Sequence, residues 1–476
     1  MNGKSASNAP ARNPQGAEGV RRGLARRALI SGIDLAPVSL ALAACERGAG
    51  GQAGPPTAAA GSVELWATSE AEGMKMYGEV VAAFQTRFPG ITVKTSNPSA
   101  NPDNPESLLP QVAAGTTPDV LPFSPPSLAQ FGPRVLTDVT TLLAKDRTLN
   151  LERDLEPAAV SFLRDWSMGK LYGLTRTLNT IVMYYNADHF AQQALPDPGT
   201  LFDQGKWTWT AALDAARTLT RRSGSETERY GWDADIEVER ASAFIYQHNG
   251  SLFDKGQQKF VFAQQAEARE AIQWLLDLKD RHQVAPLVPR DTGRLGNAPE
   301  AFSRQLSSMY HDYTTRLRVI APRAANVFKF GLVPLPTGRK PAAPATGGFV
   351  SSFKASKAPE AAWELVKFIS GPEATAISLA NNILVVPPRR DEASRQAFFK
   401  VVPEEQAKRL MKSMASTVPA PYVRPTVRQM WAAMTTEMRE TWDGKRTVVE
   451  ALGRASAEMQ RLYDEGTTEM RGLGIS

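Results

Sequence analysis

Residues that could perform acid–base, nucleophilic or metal chemistry are few in this chain, and they are widely spaced. None of the four histidines has the H-x-x-x-H spacing that holds zinc or iron. The motifs G-x-S-x-G and G-x-x-x-x-G-K-[ST], which mark serine hydrolases and NTPases, do not occur. A glycoside hydrolase needs two carboxylates that face one bond; Glu70, Asp119 and Asp312 are available, but no motif pairs them. We therefore predict that the protein is not an enzyme and has no catalytic residues, no metal and no cofactor.

The single cysteine, Cys45, ends a segment that has the order of an export signal. Paired arginines are followed by a mostly apolar run from Ala28 to Ala44 and then by the cysteine. A positive region, an apolar region and small residues at the cleavage site are the parts of a secretory signal peptide. Leu42-Ala43-Ala44-Cys45 resembles the lipobox of bacterial lipoproteins. That resemblance implies that residues 1–44 are removed as a signal peptide and that Cys45 is lipidated.

The residues around this cysteine also predict how the protein meets the membrane. Asp34 and Pro37 interrupt the apolar run, so we predict no permanent transmembrane span. Residues 45–61 are rich in Gly, Ala and Pro, a composition that builds no core and predicts a flexible, lipid-anchored tether. We expect the protein at the cell membrane, lipid-anchored on the extracytoplasmic side, in a periplasm or on an open cell surface. Both the twin-arginine and the general export routes stay open.

The basic charge of the chain is largely a property of the predicted signal. The whole sequence has 55 Lys and Arg against 49 Asp and Glu, a net charge of +6. Six of these basic residues and two of the acidic ones precede Cys45. The predicted mature chain therefore has a net charge of only +2. A nucleic-acid-binding protein needs a basic surface, so we predict no nucleic-acid partner.

Strand and helix patterns alternate along the predicted mature chain, whose 432 residues are enough for two domains. Ser62–Trp66 alternates as a strand does, and apolar residues recur every four positions from Met76 to Phe88, as on one face of a helix. Pro89-Gly90 stops that helix, and Ile91–Lys94 alternates again. This β-α-β order predicts two parallel strands with a right-handed crossover.

The rest of the body continues the alternation and predicts the α/β class. Residues 119–121 start another strand, and the proline-rich stretch 122–126 predicts a loop. Further strand patterns lie at 330–334 and 348–353. Helical spacing marks the segments 211–220, 266–282, 361–369 and 426–471. Gly444 and Gly453 predict breaks in the last of these.

Several fragments of this body resemble, in order, the motifs of one protein family. They are Phe84–Val93 ("F…PGI.V"), Gln111–Val120 ("QxAAGtxPDV"), Gly169–Leu174 with Met183–Asn186 ("GKxYGLP…MYYN"), Trp207–Trp209 ("P.TW.E"), Gly331–Pro336 ("GvapLP") and Ser356–Trp363 ("SKxpeaAwef"). On these residues the chain is similar to the extracellular solute-binding proteins of ABC importers, of the maltose-binding, family 1 type. The resemblance covers almost everything from Ser62 to the C-terminus. The stretches 304–309 and 122–126 depart from the family pattern near its ligand site, so the identity of the ligand stays open.

The resemblance implies an α/β, two-lobed periplasmic-binding-protein fold of type II, the Venus-flytrap kind, with hinge crossovers. The implied N-terminal lobe comprises 62–177 plus 349–386, and the C-terminal lobe 178–348 plus 387–476. We place the crossings near Arg176-Thr177, Gly347-Gly348 and Val386-Pro387. Ligand would sit in the interlobe cleft and hold the lobes closed through a hinge movement.

The function implied by the resemblance is that of the extracytoplasmic substrate-binding component of an ABC importer. Such a protein would capture a carbohydrate, an oligosaccharide or sugar derivative, and deliver it to the transmembrane permease subunits. We expect a monomer that meets the membrane through its lipid anchor. Three alternatives stay open: a binding protein for a peptide or polyamine, a secreted carbohydrate-active enzyme, and a structural lipoprotein without ligand.

Candidate ligand contacts follow the strands, because ligands of open α/β sheets bind at the carboxyl ends of strands. Trp66 ends the first strand, and Ser69 and Glu70 follow it. An indole face packs on the C–H face of a sugar ring, and Ser and Glu can bond its hydroxyls. Gly347 and Gly348 would give close backbone approach at the hinge. The other predicted ligand-binding residues are Ser124, Trp232, Asp233, Tyr246, Asn249, Asp312 and Tyr313.

Overall fold

The computed structural model describes residues 60–67, 71–97, 103–164, 170–234, 236–286, 295, 297–381, 386–420 and 424–473. The predicted signal peptide, Cys45 and the predicted site residues Ser69 and Glu70 lie outside these ranges. Strands in the described residues are β1 Gly61–Trp66, β2 Ile91–Ser96, β3 Val120–Phe123, β4 Leu174–Asn186, β5 Arg221–Ser223, β6 Glu226–Arg229, β7 Met309–Tyr313, β8 Phe330–Pro334, β9 Ala343–Ser352 and β10 Thr417–Pro419.

Helices of the same ranges surround these strands. In the first half they are α1 Ala71–Arg87, α2 Pro105–Ala114, α3 Pro125–Val135, α4 Thr140–Lys145, α5 Leu151–Asp154, α6 Pro157–Arg164, α7 Ala187–Gln192, α8 Pro198–Asp203, α9 Trp209–Leu219 and α10 Val238–Gln247. In the second half they are α11 Ala266–Asp280, α12 Ala298–Ser303, α13 Leu317–Ala324, α14 Pro359–Ile369, α15 Pro372–Ala380, α16 Glu392–Val401, α17 Glu404–Ser413, α18 Val427–Trp442 and α19 Val448–Gly472. Within the described ranges, no helix has the length and apolar character needed to cross a membrane.

The first β-α-β unit forms as its periodicity predicts. Strands β1 and β2 are parallel, in register from Gly61 opposite Ile91 onward. Helix α1 buries Val80 and Phe84 against the sheet, and the Phe84 ring lies 5.4 Å from the ring of Phe368 on α14. Each such buried side chain contributes about 1.5–3 kcal/mol to stability. The apolar stripe therefore fixes both the helix and the face that it presents to the core.

Two long strands, β4 and β9, change partners part-way along the main sheet. That sheet has the strand order β2-β1-β3-β9-β4-β7, with β10 paired to β9 and β8 paired to β4. Strand β4 pairs with β9 over its first half and with β7 and β8 from Ile181 onward. Strand β9 pairs with β10 near Ala343 and with β3 from Phe349 onward. One continuous pair of strands thus connects two differently built parts of the sheet.

Three local predictions are wrong. Helix α19 continues through Gly453, because this exposed glycine costs only about 1 kcal/mol and the buried stripe on either side, which includes Leu452 and Met459, outweighs it. The segment 122–126 is not a loop: β3 runs to Phe123, and the two prolines that follow open α3, where proline is tolerated. The segment His311–Tyr313 does not follow a strand but lies within β7.

Candidate ligand-binding site

The three segments that the sequence predicts as crossings lie side by side. Thr177 and Leu178 on β4 are paired with Gly348 and Gly347 on β9. Leu178 also exchanges both backbone hydrogen bonds with Val386, each at 3.1 Å. This contact region, which we call the strand junction, lies three residues before Ile181, where β4 changes partners.

A β-bulge at the strand junction sets the position of Arg176. Thr175 pairs with Phe349 and Thr177 with Gly348, so Arg176 is an extra residue on β4 with no partner in the ladder. Bulges redirect side chains and are common near functional sites. The side chain of Arg176 is partly exposed, but its Nε atom is buried and has no hydrogen-bond partner.

Gly348 leaves room for this arginine. A Cβ atom at Gly348 would lie 3.0 Å from Nη2 of Arg176 and 2.9 Å from Oγ1 of Thr177. The amide of Gly348 donates to that same hydroxyl at 2.8 Å. At Gly347, a Cβ atom would lie 2.2 Å from the carbonyl oxygen of Thr177. Both glycines therefore allow the close backbone approach that the sequence predicts for them.

The phenol of Tyr77 on α1 lies within electrostatic range of both the Arg176 guanidinium and the Asp103 carboxylate. Burial raises the pKa of Tyr77, the Arg176 guanidinium opposes that rise, and the Asp103 carboxylate adds to it. Asp103 Oδ2 accepts a 2.7 Å hydrogen bond from the amide of Ser124. Ser124, a predicted ligand residue at the carboxyl end of β3, is thus bonded to a carboxylate that, like Arg176, acts on the phenol of Tyr77.

Ser124 and its neighbours also meet the start of α18. The Ser124 hydroxyl bonds Ser127 at 3.0 Å, and Arg428 Nη2 donates to Ser127 Oγ at 2.8 Å. Ser127 is fully buried although it is polar. Sequence reasoning missed Ser127 and Arg428, since a turn of helix α3 and one arginine near a C-terminal helix carry no distinct signal.

Trp66 lies at the carboxyl end of β1, as predicted, but little of its surface is free. The residue is 5% exposed, and its Nε1 donates to Oε1 of Glu64 at 3.2 Å. The same carboxylate oxygen accepts from Ser96 Oγ on β2 at 2.5 Å. Only a small edge of the indole could meet a ligand in this conformation.

Asp312 and Tyr313 occupy the carboxyl end of β7. Asp312 Oδ1 accepts from Nη2 of Arg240 at 2.6 Å, and Oδ2 accepts from Nε of Arg316 at 2.8 Å. The hydroxyl of Tyr313 donates to Glu239 Oε1 at 3.0 Å. β7 is antiparallel to β4, with Tyr313 opposite Ile181, so this end of β7 reaches the strand junction.

Four other predicted residues do not join these groups. Trp232 has no exposed surface and donates through Nε1 to His311 Nδ1 at 3.1 Å, within a cluster of aromatic rings. Asp233 is 2% exposed beside it. Tyr246 lies in the C-terminal half of α10, whereas Arg240 lies in its N-terminal half, and Tyr246 is half-buried. Asn249 is exposed in the turn that follows α10. Their predicted ligand contacts remain predictions.

The structure therefore places Gly348 beside Arg176 and brings Asp312 and Tyr313 together around Arg240, while Ser124 bonds Asp103 and Ser127. From the sequence, only a crossing between the lobes was predicted near Arg176. The feature that could have indicated a functional role is its charge, because the strand around it is otherwise apolar or rich in threonine. Among the described residues, no group of three or more His, Cys, Asp or Glu side chains is arranged to hold a metal ion. The arrangement supplies hydrogen-bond donors and cations, which suits binding.

A comparison with protein families decides the assignment. The family model of bacterial extracellular solute-binding proteins matches residues 79–407, more than half of the chain. The chain belongs to this family. The predicted family resemblance is thereby confirmed, and the family implies an extracytoplasmic location.

Solved structures share the fold over most of the chain. An ABC substrate-binding protein of Listeria monocytogenes in complex with cycloalternan matches with a TM-score of 0.71 at 22% identity, covering 84% of this chain and 98% of that one. The sugar-binding protein MalE from Xanthomonas citri gives 0.69 at 19% identity, with 86% and 99% covered. The cyclic alpha-maltosyl-1,6-maltose binding protein from Arthrobacter globiformis gives 0.69 at 20%, with 86% and 100% covered. The predicted two-lobed α/β fold is confirmed.

Proposed function

We propose that this protein is the extracytoplasmic substrate-binding component of an ABC importer and that it captures a carbohydrate in the cleft between its lobes. One observation carries the proposal: a member of the solute-binding family shares its fold, over 84–86% of its length, with proteins that are named for sugars or hold one. The hydrogen-bonding side chains around the strand junction support it, since sugar hydroxyls need such partners.

The proposed lobes are 62–177 with 349–386, and 178–348 with 387–476. The change of partners in β4 and β9 supports this division, because it falls within about three residues of the proposed boundaries. A ligand that contacts both lobes would hold them together by a hinge movement in these two strands.

Delivery of the ligand would involve the permease and the membrane. The permease subunits of the importer would receive the ligand from the closed protein. A lipid on Cys45, joined to the lobes by the tether 45–61, would hold a monomeric binding protein beside that permease. A tether of this composition lets the lobes reach the permease while the lipid stays in the membrane.

A thermal-shift screen of the full chain tests the ligand class. We expect maltose, maltotriose or another oligosaccharide to raise the melting temperature, because a ligand at about 100 times its Kd adds about 2.7 kcal/mol to the native state. We expect no product after prolonged incubation with the same sugars, as judged by chromatography. Putrescine, spermidine and a tripeptide are the comparison ligands. A shift with one of them and with no sugar would overturn the carbohydrate proposal, and released product would favour an enzyme.

A further inference from the structure

The strand junction contains a guanidinium, that of Arg176, which forms no ion pair with the described residues. We infer that the ligand of the proposed cleft is an acidic sugar and that Arg176 binds its anionic group, a carboxylate or a phosphate. This inference rests on the proposed function and adds the charge of the ligand to it.

Arg176 occupies an unusual position on β4. As the extra residue of a bulge, it makes no ladder pair, so β4 does not need it for pairing with β9. The facing residue is Gly348, and any side chain there would meet the guanidinium at 3.0 Å. A bulge and a facing glycine together hold one long charged side chain at the place where the two parts of the sheet meet.

The bonding of the Arg176 guanidinium also points to an anion. Among the described residues, none forms an ion pair or a hydrogen bond with the guanidinium of Arg176, and its Nε atom is buried. A buried hydrogen-bond donor without a partner is costly. Other arginines near the junction are paired: Arg240 and Arg316 bond Asp312, and Arg389 bonds Asp391. The unpaired guanidinium is therefore a site that an anionic ligand would complete.

The groups of the strand junction include a further unsatisfied hydrogen-bonding atom. Thr346 on β9, two residues before Gly348, has a buried Oγ1 atom without a partner. Asp103, which acts on the same Tyr77 phenol as Arg176, accepts at Oδ2 from the amide of Ser124 and forms no ion pair with Arg176 within the described ranges. A guanidinium presents two parallel N–H donors that match a carboxylate or phosphate, while an unsatisfied hydroxyl suits a sugar hydroxyl. The group thus fits a molecule that is both anionic and hydroxylated.

Calorimetric titration of the full chain with matched sugar pairs tests the inference. The pairs are galactose with galacturonate, maltose with maltobionate, and glucose with glucose 6-phosphate. We expect at least one acidic member to bind at least 10-fold more tightly than its neutral partner at low salt, and the difference to shrink as salt rises. The pair in which the acidic member binds more tightly shows whether the anionic group is a carboxylate or a phosphate.

Variants show whether Arg176 is responsible. Arg176→Gln should remove the preference for the acid, and Arg176→Lys, which keeps the charge but not the fork, should retain part of it. Arg461 is an exposed arginine on α19, and Arg461→Gln is the matched control. It should change the affinity for neither the acidic nor the neutral sugar. The melting temperature of each unliganded variant shows that it is folded.

Two outcomes would overturn the inference and are distinguishable from each other. If neutral and acidic members bind equally, or if Arg176→Gln keeps the preference, Arg176 does not select an anion, while the proposed carbohydrate function stands. If no member of any pair binds but an acidic non-sugar such as malonate does, the carbohydrate function itself fails, and the acidic-sugar inference fails with it.

Discussion

Asp312 and Arg240 form an ion pair in the interior of the protein, 72 residues apart in the sequence. Arg240 Nη2 lies 2.6 Å and Nε 3.0 Å from Asp312 Oδ1, and the two residues are 5% and 2% exposed. Arg316 holds the second carboxylate oxygen. Both oxygens of Asp312 are thus occupied by guanidinium donors, which gives this carboxylate a structural task besides its predicted contact with ligand.

We predict that Asp312→Ala lowers the free energy of unfolding by about 1–3 kcal/mol, because the buried Arg240 loses its closest partner but keeps Glu237 and Glu239. Urea unfolding followed by circular dichroism measures the loss. Asp214→Ala is the control: Asp214 pairs with Arg217 on the exposed face of α9, and such pairs contribute about 0.5 kcal/mol or less. A loss below about 1 kcal/mol for Asp312→Ala would show that the pair is not held as described.

The two glycines of the strand junction should respond differently to alanine. At Gly347 a Cβ atom would meet a backbone carbonyl at 2.2 Å, which cannot move without shifting β4. At Gly348 it would meet the end of the Arg176 side chain and the Thr177 hydroxyl, which are more easily displaced. We predict that Gly347→Ala destabilises by about 1–3 kcal/mol and that Gly348→Ala costs less but weakens binding of an acidic sugar.

Gly78→Ala is the matched control for these variants. Gly78 lies in α1, and a Cβ atom there meets nothing within 4 Å, so alanine should stabilise the helix by about 0.5–1 kcal/mol. Unfolding by urea orders the three variants. Equal stabilities for Gly347→Ala and Gly78→Ala would contradict the close packing of β4 against β9.

His189 should make the stability depend on pH between about 6.5 and 4. Its ring is buried beside Asn186 and Ser308, and burial, aided by the charge of Arg229, lowers its pKa to about 4. Below pH 6.5 the unfolded chain takes up a proton that the folded protein does not, so stability is full above that pH and falls as pH drops toward 4. Over this pH range the free energy of unfolding should fall by about 3 kcal/mol.

Replacing the histidine isolates this effect. In His189→Gln the decline of the unfolding free energy between pH 7 and 4.5 should be smaller than in the natural chain, whatever its stability at pH 7. His282→Gln is the control, because His282 is less buried and its pKa is lowered less. An unchanged slope in His189→Gln would refute the prediction. Asp146, whose pKa of about 2 lies below the usual aspartate value, stabilises the protein above that usual value and loses this contribution mainly below it, and the measured range ends at pH 4.5.

Local sequence patterns predicted the local structure well. The unit from β1 to β2 follows from apolar spacing alone, because each element buries one regular face. Patterns in one segment carry no information on partners far away, however. The pair of Asp312 with Arg240, the complete burial of Trp232 and the bulge at Arg176 all depend on contacts between distant segments. For this reason the sequence indicated where the strand junction lies but not which side chains meet there.

Cys45 is the residue whose chemistry the sequence alone predicts, and it lies outside the described residues. We predict that cells producing the full chain incorporate radiolabelled palmitate into the protein and that Cys45→Ala abolishes this incorporation. A diacylglycerol brings two acyl chains, which suffice for stable anchoring where one chain gives only marginal binding. The natural chain should therefore sediment with membranes, while the variant should be released from them.

Two controls separate anchoring from folding in this experiment. Cys45→Ser changes one atom of the side chain and should also lose both the label and the membrane association, because acylation needs the thiol. The lobes of both variants should keep the melting temperature of the natural protein in detergent, since the composition of the predicted tether does not build a core. Label that persists in Cys45→Ala would place the lipid on another group and remove the basis for a mature chain that begins at residue 45.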